Sequence, residues 1–315
     1  MYYPYFRGKQ NELMLIRESA ELLSNSGFIP IIEPVKESMS GLLRAIEAIN
    51  SEQGKAILIM NPLYGDHKDD RSSVEDFLNK DLEDLNIDVG IILNEKMNTM
   101  QAMELYNHLR NSHDSVTFIH FGFTEAKILA NQLSETLTQT RHVFIEDYCG
   151  KLYQKHFSGA KLILVRDGFH KRTNREHPPV EFFSDLHVTY DLEGVDGFGD
   201  FLIVGDEYSE SGGPAYAIAI HISFIDNDKD DEMHVHHFVS DRQDSPADPA
   251  GKFLEALEKL VSEVSSDNTK IHKSAAITEL LDLHKRKHYP GLGYLKKLSM
   301  KHHVETLAHY FNSQI

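Results

Sequence analysis

Between residues 28 and 205, short runs of Val, Ile, Leu and Phe alternate with helical patterns at an almost regular beat, and this alternation constrains the fold more than any other feature of the chain. The apolar runs are FIPIIE (28–33), KAILIM (55–60), DVGIIL (88–93), VTFIH (116–120), HVFIE (142–146), KLILVR (161–166) and DFLIVG (200–205). They are continuous, as in strands buried on both faces. Between them apolar residues recur at helical spacing, as in Leu42, Leu43, Ile46 and Ile49 or Ile128, Leu129, Leu133 and Leu137. The same spacing opens the chain, where Leu13, Ile16, Ala20 and Leu23 share a face and Gly27 marks a stop. Helices are also expected in SVEDFLNKDLEDL, MQAMELYNHLR, YCGKLYQKHF and VEFFSDLHVTY. Strand and helix in repeated order predict a parallel sheet covered on its faces. Seven such units, with no GxGxxG turn after the first strand, predict an α/β fold of the (β/α)8 TIM type rather than an open dinucleotide-binding sheet.

The eighth strand is irregular. AYAIAIHISFID (215–226) follows the seventh run too closely for a parallel crossover. With MHVHHFVSD (233–241) it reads as a β-hairpin, one arm of which, the second by preference, is expected to close the barrel. A helix, KFLEALEKLVSEV, follows. The expected organisation is a barrel with an N-terminal helix over 1–270 and a C-terminal helical extension over 271–315 packed on it.

In such barrels chemistry sits at the C-terminal strand ends. The residues there are Glu33, Asn61, Asn94, His120, Glu146, Asp167 and Asp206 with Glu207. Polar residues after strands are common because turns favour them. Glu33, His120 and Glu146 instead end apolar runs directly, and with Asp167 they form the candidate catalytic set. Carboxylates with a histidine suit general acid/base work or a divalent cation. No motif identifies a cofactor: HExxH, GxSxG, a Walker loop and CxxC are absent from the sequence.

A second constellation points to an anion. The loop RDGFHKRTNREHPP offers Arg166, Lys171 and Arg172, and GDEYSESGGP offers Gly212 and Gly213, whose N–H groups could face a phosphate. HVHH (234–237) resembles a metal motif, but in a strand His234 and His236 share one face and His237 takes the other. Two ligands at most converge, so these read as surface or rim histidines. His302 and His303, adjacent on a helix, diverge.

Charge narrows the partners. With 32 Lys and Arg against 49 Asp and Glu, the net charge of −17 argues against direct nucleic-acid binding. Residues 282–303 carry a local +5, from six Lys or Arg and one Asp, and their helical patterns could dock a protein or simply pack on the barrel. The sequence begins without an apolar h-region and has no apolar run of bilayer length, so no membrane is expected; with the single Cys149 this suggests a reducing, cytoplasmic location.

Several stretches carry a family resemblance: YPYFRGKQNELMLIRE (3–18), PIIEPVK, NPxxG (61–65), VRDGF (165–169), GDF (199–201), GGPAYAIAIH (212–221) and YPGLGYLKKLSMKHHVE (289–305). Together they resemble the beta-protein family of bacterial and phage proteins, in its bacterial branch, over nearly the whole chain. The resemblance implies no particular reaction. It does imply a phage-defence context beside nuclease-like genes, and it adds Arg7 and Lys9, in the N-terminal motif, as candidate ligand-binding residues. Two functional readings follow. The first is a barrel that binds, and can turn over, a small phosphorylated or nucleotide-like ligand at its mouth. The second is a non-catalytic partner of a nuclease-like protein.

Overall fold

The structure is a computed structural model that describes residues 1–315 except 84, 114, 211, 212, 214 and 315. It is an α/β protein whose residues group into two units, 1–167 with 189–201, and 168–188 with 202–315. The sequence pattern had suggested a boundary near 270.

The first unit is the barrel. Its strands are β1 (Tyr5–Phe6), β2 (Ile31–Ile32), β3 (Ile57–Ile59), β4 (Asp88–Asn94), β5 (Val116–Phe121), β6 (Arg141–Ile145) and β7 (Lys161–Val165). The chain then leaves for β8 (Val180–Ser184), in the second unit, and returns as β9 (Gly197–Gly199). All eight barrel strands are parallel, in the order β1-β2-β3-β4-β5-β6-β7-β9. Helices α1 (Gln10–Glu18), α2 (Ala20–Asn25), α3 (Ser40–Ser51), α4 (Ser72–Asp81), α5 (Thr99–Leu109), α6 (Ala126–Gln132) and the short α7 (Lys151–Gln154) connect the strands. Asn98 begins α5 with a reciprocal capping box to Gln101.

The ring is closed by the N-terminus. Tyr2 bridges Phe198 in parallel, and the N–H groups of Tyr3 and Tyr5 donate to the carbonyls of Phe198 and Asp200 at 2.8 and 3.0 Å. Closure therefore depends on neither arm of the hairpin, contrary to the sequence expectation. The seventh apolar run is also displaced: the strand is GFG at 197–199, while residues 202–204 form a turn. Glycine explains the choice. A Cβ on Gly199 would lie 2.2 Å from the Tyr3 carbonyl oxygen, and one on Gly197 would lie 2.8 Å from that of Met1.

Inside the ring, Tyr3, Tyr5, Ile31, Ile57, Ile59, Ile92, Ile119, Val143, Ile163, Val165 and Phe201 make one packed core. At the N-terminal ends of the strands, Arg141 donates to Asp88 at 2.8 Å and lies over the Tyr3 ring.

The second unit holds an antiparallel sheet, β10 (Ala219–Asp226), β11 (Glu232–Val239) and β8, with β11 central. VEFFSDLHVTY is thus mostly not the helix that its spacing predicts: β8 pairs with β11, Glu181 opposite Val235, and only α8 (Leu186–Thr189) is helical. Pairing with a strand some fifty residues downstream overrides local propensity. Ile218, Ile220, Ile222 and Phe224 share a core with α9 (Pro249–Val264), α10 (Ala275–Arg286) and the start of α11 (Leu292–Ser313). The apolar faces of the two tail helices are consumed by this core through Leu280, Leu283, Leu295 and Leu298. No helix among the described residues is long and apolar enough to cross a membrane.

Because closure requires main chain to lie against Gly199, Gly199→Ala is expected to lower stability by about 1–3 kcal/mol, the usual cost of overpacking. Urea denaturation checks this, and an unchanged midpoint would mean that the N-terminal segment yields without cost.

Candidate functional site

Each predicted mouth residue can be placed. Glu33, fully buried, follows β2 and is saturated. Its Oε1 accepts from the N–H groups of Leu63 and Tyr64 at 2.7 and 3.2 Å, and its Oε2 accepts from Tyr5 Oη at 3.1 Å and Arg7 Nη1 at 2.5 Å. Arg7 is in turn enclosed by the rings of Tyr5, Tyr64 and Phe201, 4.7–5.2 Å from their centroids. Burial first, and then the Glu33 carboxylate, hold the Tyr5 phenol far above its ordinary pKa. A carboxylate with four donors is a structural anchor.

The other strand-end residues are similarly engaged. Asn61 exchanges two 2.8 Å hydrogen bonds with the main chain of Ile92, extending the sheet, and Asn94 accepts from the N–H of Lys96 in a turn. Glu146 receives two bonds from Arg166, at 2.6 and 2.9 Å, and Arg166 also approaches Glu193, itself paired with Lys151. Asp167 is half-buried beside Arg166. Lys9 occupies the N-cap position of α1. With β9 ending at Gly199, Asp200 takes the strand-end place assigned to Asp206, and it accepts from Tyr2 Oη at 2.7 Å. Asp206 lies in the second unit.

His120 does not join the mouth. Ile119 and Phe121 point into the barrel, so strand alternation turns His120 outward. There Nδ1 pairs with Tyr153 Oη at 2.7 Å and Nε2 with His142 Nδ1 at 2.9 Å, while His142 Nε2 reaches Thr140 Oγ1 at 2.9 Å. Phe144 and Phe157 pack on these rings. Burial lowers His142 to about 3 and, with the second imidazole adding to the effect, holds His120 far below its ordinary value. This is a neutral, satisfied core network.

The anion loop is more informative. Lys171 pairs with Glu207 at 3.1 Å, and Arg172 donates to Glu181 Oε2 at 2.7 Å. Gly213 has open space around its Cα, and Gly212 lies outside the described residues. Arg175, which the sequence reading passed over, has no carboxylate at ion-pair distance among the described residues. It borders an open cleft of about 790 Å³, lined also by His177, His236, His237, Ser240, Ser262, Lys259, Asp241, Glu258 and Glu263.

Beside this cleft three histidines converge. Register places His221 of β10 opposite His237 of β11, and their Nδ1 atoms lie 2.7 Å apart. His177, just ahead of β8, stacks on His237 with ring centroids 4.4 Å apart. One nitrogen from each ring can be chosen so that all three lie within 4.8 Å of one another. Glu181 Oε1 sits 2.9 Å from His237 Nε2 and 3.6 Å from His177 Nδ1. Burial is the main cause of low pKa in all three rings: His237 falls to about 4, His221 lies far below the ordinary value, and His177 is lowered despite Glu181. The sequence reading sets His237 on the face opposite His234 and His236 and takes these histidines as surface or rim residues; His237 is instead buried and joins the cluster, while His234 and His236 play no part in it.

No protein-family model matches this chain, and no curated protein matches it. Among solved structures it is similar to the enoyl reductase domain of MlnA from the macrolactin biosynthesis cluster of Bacillus amyloliquefaciens, at 10% identity and a TM-score of 0.32, over 99% of this chain and 81% of that one. A likeness so distant carries no functional argument.

Two outcomes follow from the barrel side chains. Arg7→Ala leaves a buried carboxylate without its cation and is expected to cost about 3–5 kcal/mol in denaturant unfolding. A loss under about 1 kcal/mol would contradict the anchoring role. For His142, the unfolded ring takes up a proton near its ordinary 6.5 while the folded ring refuses it until about 3. Its contribution to stability is therefore whole above pH 6.5 and is lost as pH falls through that window, by about 1.4 kcal/mol per unit. His142→Gln should flatten the pH dependence of stability by that slope, and an unaltered slope would refute the assignment.

Proposed function

We propose that this protein binds a small anionic ligand, of the phosphorylated or nucleotide-like class, in the cleft of its second unit. The observation that carries this reading is the state of the cations. Arg7, Arg166, Lys171 and Arg172 each face a carboxylate, so an anion at any of them competes with an intramolecular partner. Arg175 faces none among the described residues and stands at the wall of the cleft. The hydroxyls of Ser262 and Ser266 and the imidazoles of His177 and His236 supply hydrogen-bonding groups around it, and the carboxylates of Glu258 and Glu263 suit ligand hydroxyls. This reading retains the anionic class expected from the sequence and proposes this cleft, rather than the barrel mouth, as its place.

Membership of the beta-protein family, a cytoplasmic setting and a role in phage defence belong to the same proposal, on the strength of the motif resemblance alone. The alternative of a nuclease-like partner docked on the tail is less favoured, because the apolar faces of α10 and α11 are already buried in their own unit.

A calorimetric screen of nucleotides, sugar phosphates and inorganic phosphate tests the reading. At least one is expected to bind, and Arg175→Ala to weaken it roughly ten-fold or more, the effect of one charge-assisted hydrogen bond. Glu33→Gln should leave affinity unchanged. Equal binding by Arg175→Ala, or binding lost in Glu33→Gln alone, would return the site to the barrel.

A further inference from the structure

We infer that His177, His221 and His237 hold a divalent transition-metal ion of the zinc class, with Glu181 as an additional ligand or as the base beside it.

Comparison with other buried histidines of the same chain supports the assignment. His120 and His142 have a hydrogen-bond partner on each ring nitrogen, and so does His302, which meets Ser274 Oγ and the carbonyl of Ser223, both at 2.8 Å. Buried polar atoms are ordinarily satisfied in this way. At the convergence of His177, His237 and Glu181 they are not. His177 Nδ1, His237 Nε2 and Glu181 Oε1 are all buried, lie within 2.9–3.6 Å along the two histidine–carboxylate approaches, and are not aligned for hydrogen bonds. Two imidazole nitrogens that share one carboxylate oxygen, at 2.9 and 3.6 Å and without well-aligned hydrogen bonds, are arranged as ligands around a cation would be.

The support around them is of the kind that metal sites need. Cross-strand pairing fixes His221 against His237. Arg172 holds Glu181 by its other oxygen at 2.7 Å, leaving Oε1 toward the imidazoles, as outer partners orient metal ligands. Imidazoles with a carboxylate select zinc or its neighbours over calcium or magnesium, which prefer all-oxygen sites. The chosen ring nitrogens lie within 4.8 Å of one another, and tetrahedral zinc sets its ligand nitrogens about 3.3 Å apart, so the rings need only small adjustments to converge on one ion. Since His177 and His237 also line the cleft, a coordination position left open there would meet solvent or a ligand oxygen. Three protein ligands with one open position is the arrangement of catalytic rather than structural zinc.

Metal uptake needs no anion, so this inference stands or falls apart from the preceding reading, whose Arg175→Ala comparison can be run on metal-free protein. The test uses the full chain, stripped with chelator, reloaded with Zn²⁺ or Co²⁺ and desalted. One zinc per chain by elemental analysis is expected, with the visible absorption of Co²⁺ in a low-coordinate nitrogen and oxygen site. His237→Ala and His177→Gln should abolish both signals, Glu181→Gln should weaken affinity roughly 10- to 100-fold, and His234→Ala should change neither. Circular dichroism checks that each variant is folded, and His177→Gln, in a loop, serves if His237→Ala is not. Folded wild-type protein that retains no zinc, or equal loss in His234→Ala, would overturn the assignment.

Discussion

The buried pair between Arg7 and Glu33 is the contact on which the barrel turns. Glu33 joins three stretches of chain: the N-terminal strand through Tyr5 and Arg7, its own strand, and the loop after β3 through two N–H groups. Removing both charges from water is costly, and only a full set of donors and a ring of aromatic faces offsets it. The same completeness that makes the pair stable makes it poor chemistry. A base must be able to accept a proton, and each oxygen of Glu33 is already spoken for by two donors.

The barrel was readable in the sequence because buried parallel strands leave continuous apolar runs, and six of the seven runs contain strands. What was not readable lies where glycine or aromatic residues replace that signature. YPYF gave no strand signal, since β1 is only two residues long and its specification comes from the main chain of β9. GFG carries too little apolar bulk to mark β9, and the neighbouring DFLIVG bears the stronger strand pattern. VEFF was misassigned because its partner lies far downstream.

The site was legible to a lesser degree, for a related reason. Spacing within one strand tells which residues share a face, and it correctly separated His237 from His234 and His236. It says nothing of cross-strand register, which alone brings His221 to His237, nor of the loop that delivers His177. Glu33 and Glu146 do stand at strand ends as expected, yet their pairing with arginines had no trace in sequence. His120 illustrates a smaller error: β5 runs one residue beyond it to Phe121, so it is a residue within the strand and faces outward.

The closure of the ring by residues 1–6 and 197–200 also has a consequence for synthesis. β1 is synthesised before both of its neighbours and must pair on one side with β2, available almost at once, and on the other with β9, nearly two hundred residues later. Throughout elongation the growing sheet has two unpaired edges, and the last of them is satisfied only when GFG emerges. Such long-range pairing slows folding and leaves strand edges open to other chains. A nascent chain of this protein would thus depend, for most of its time on the ribosome, on a half-paired N-terminus remaining available.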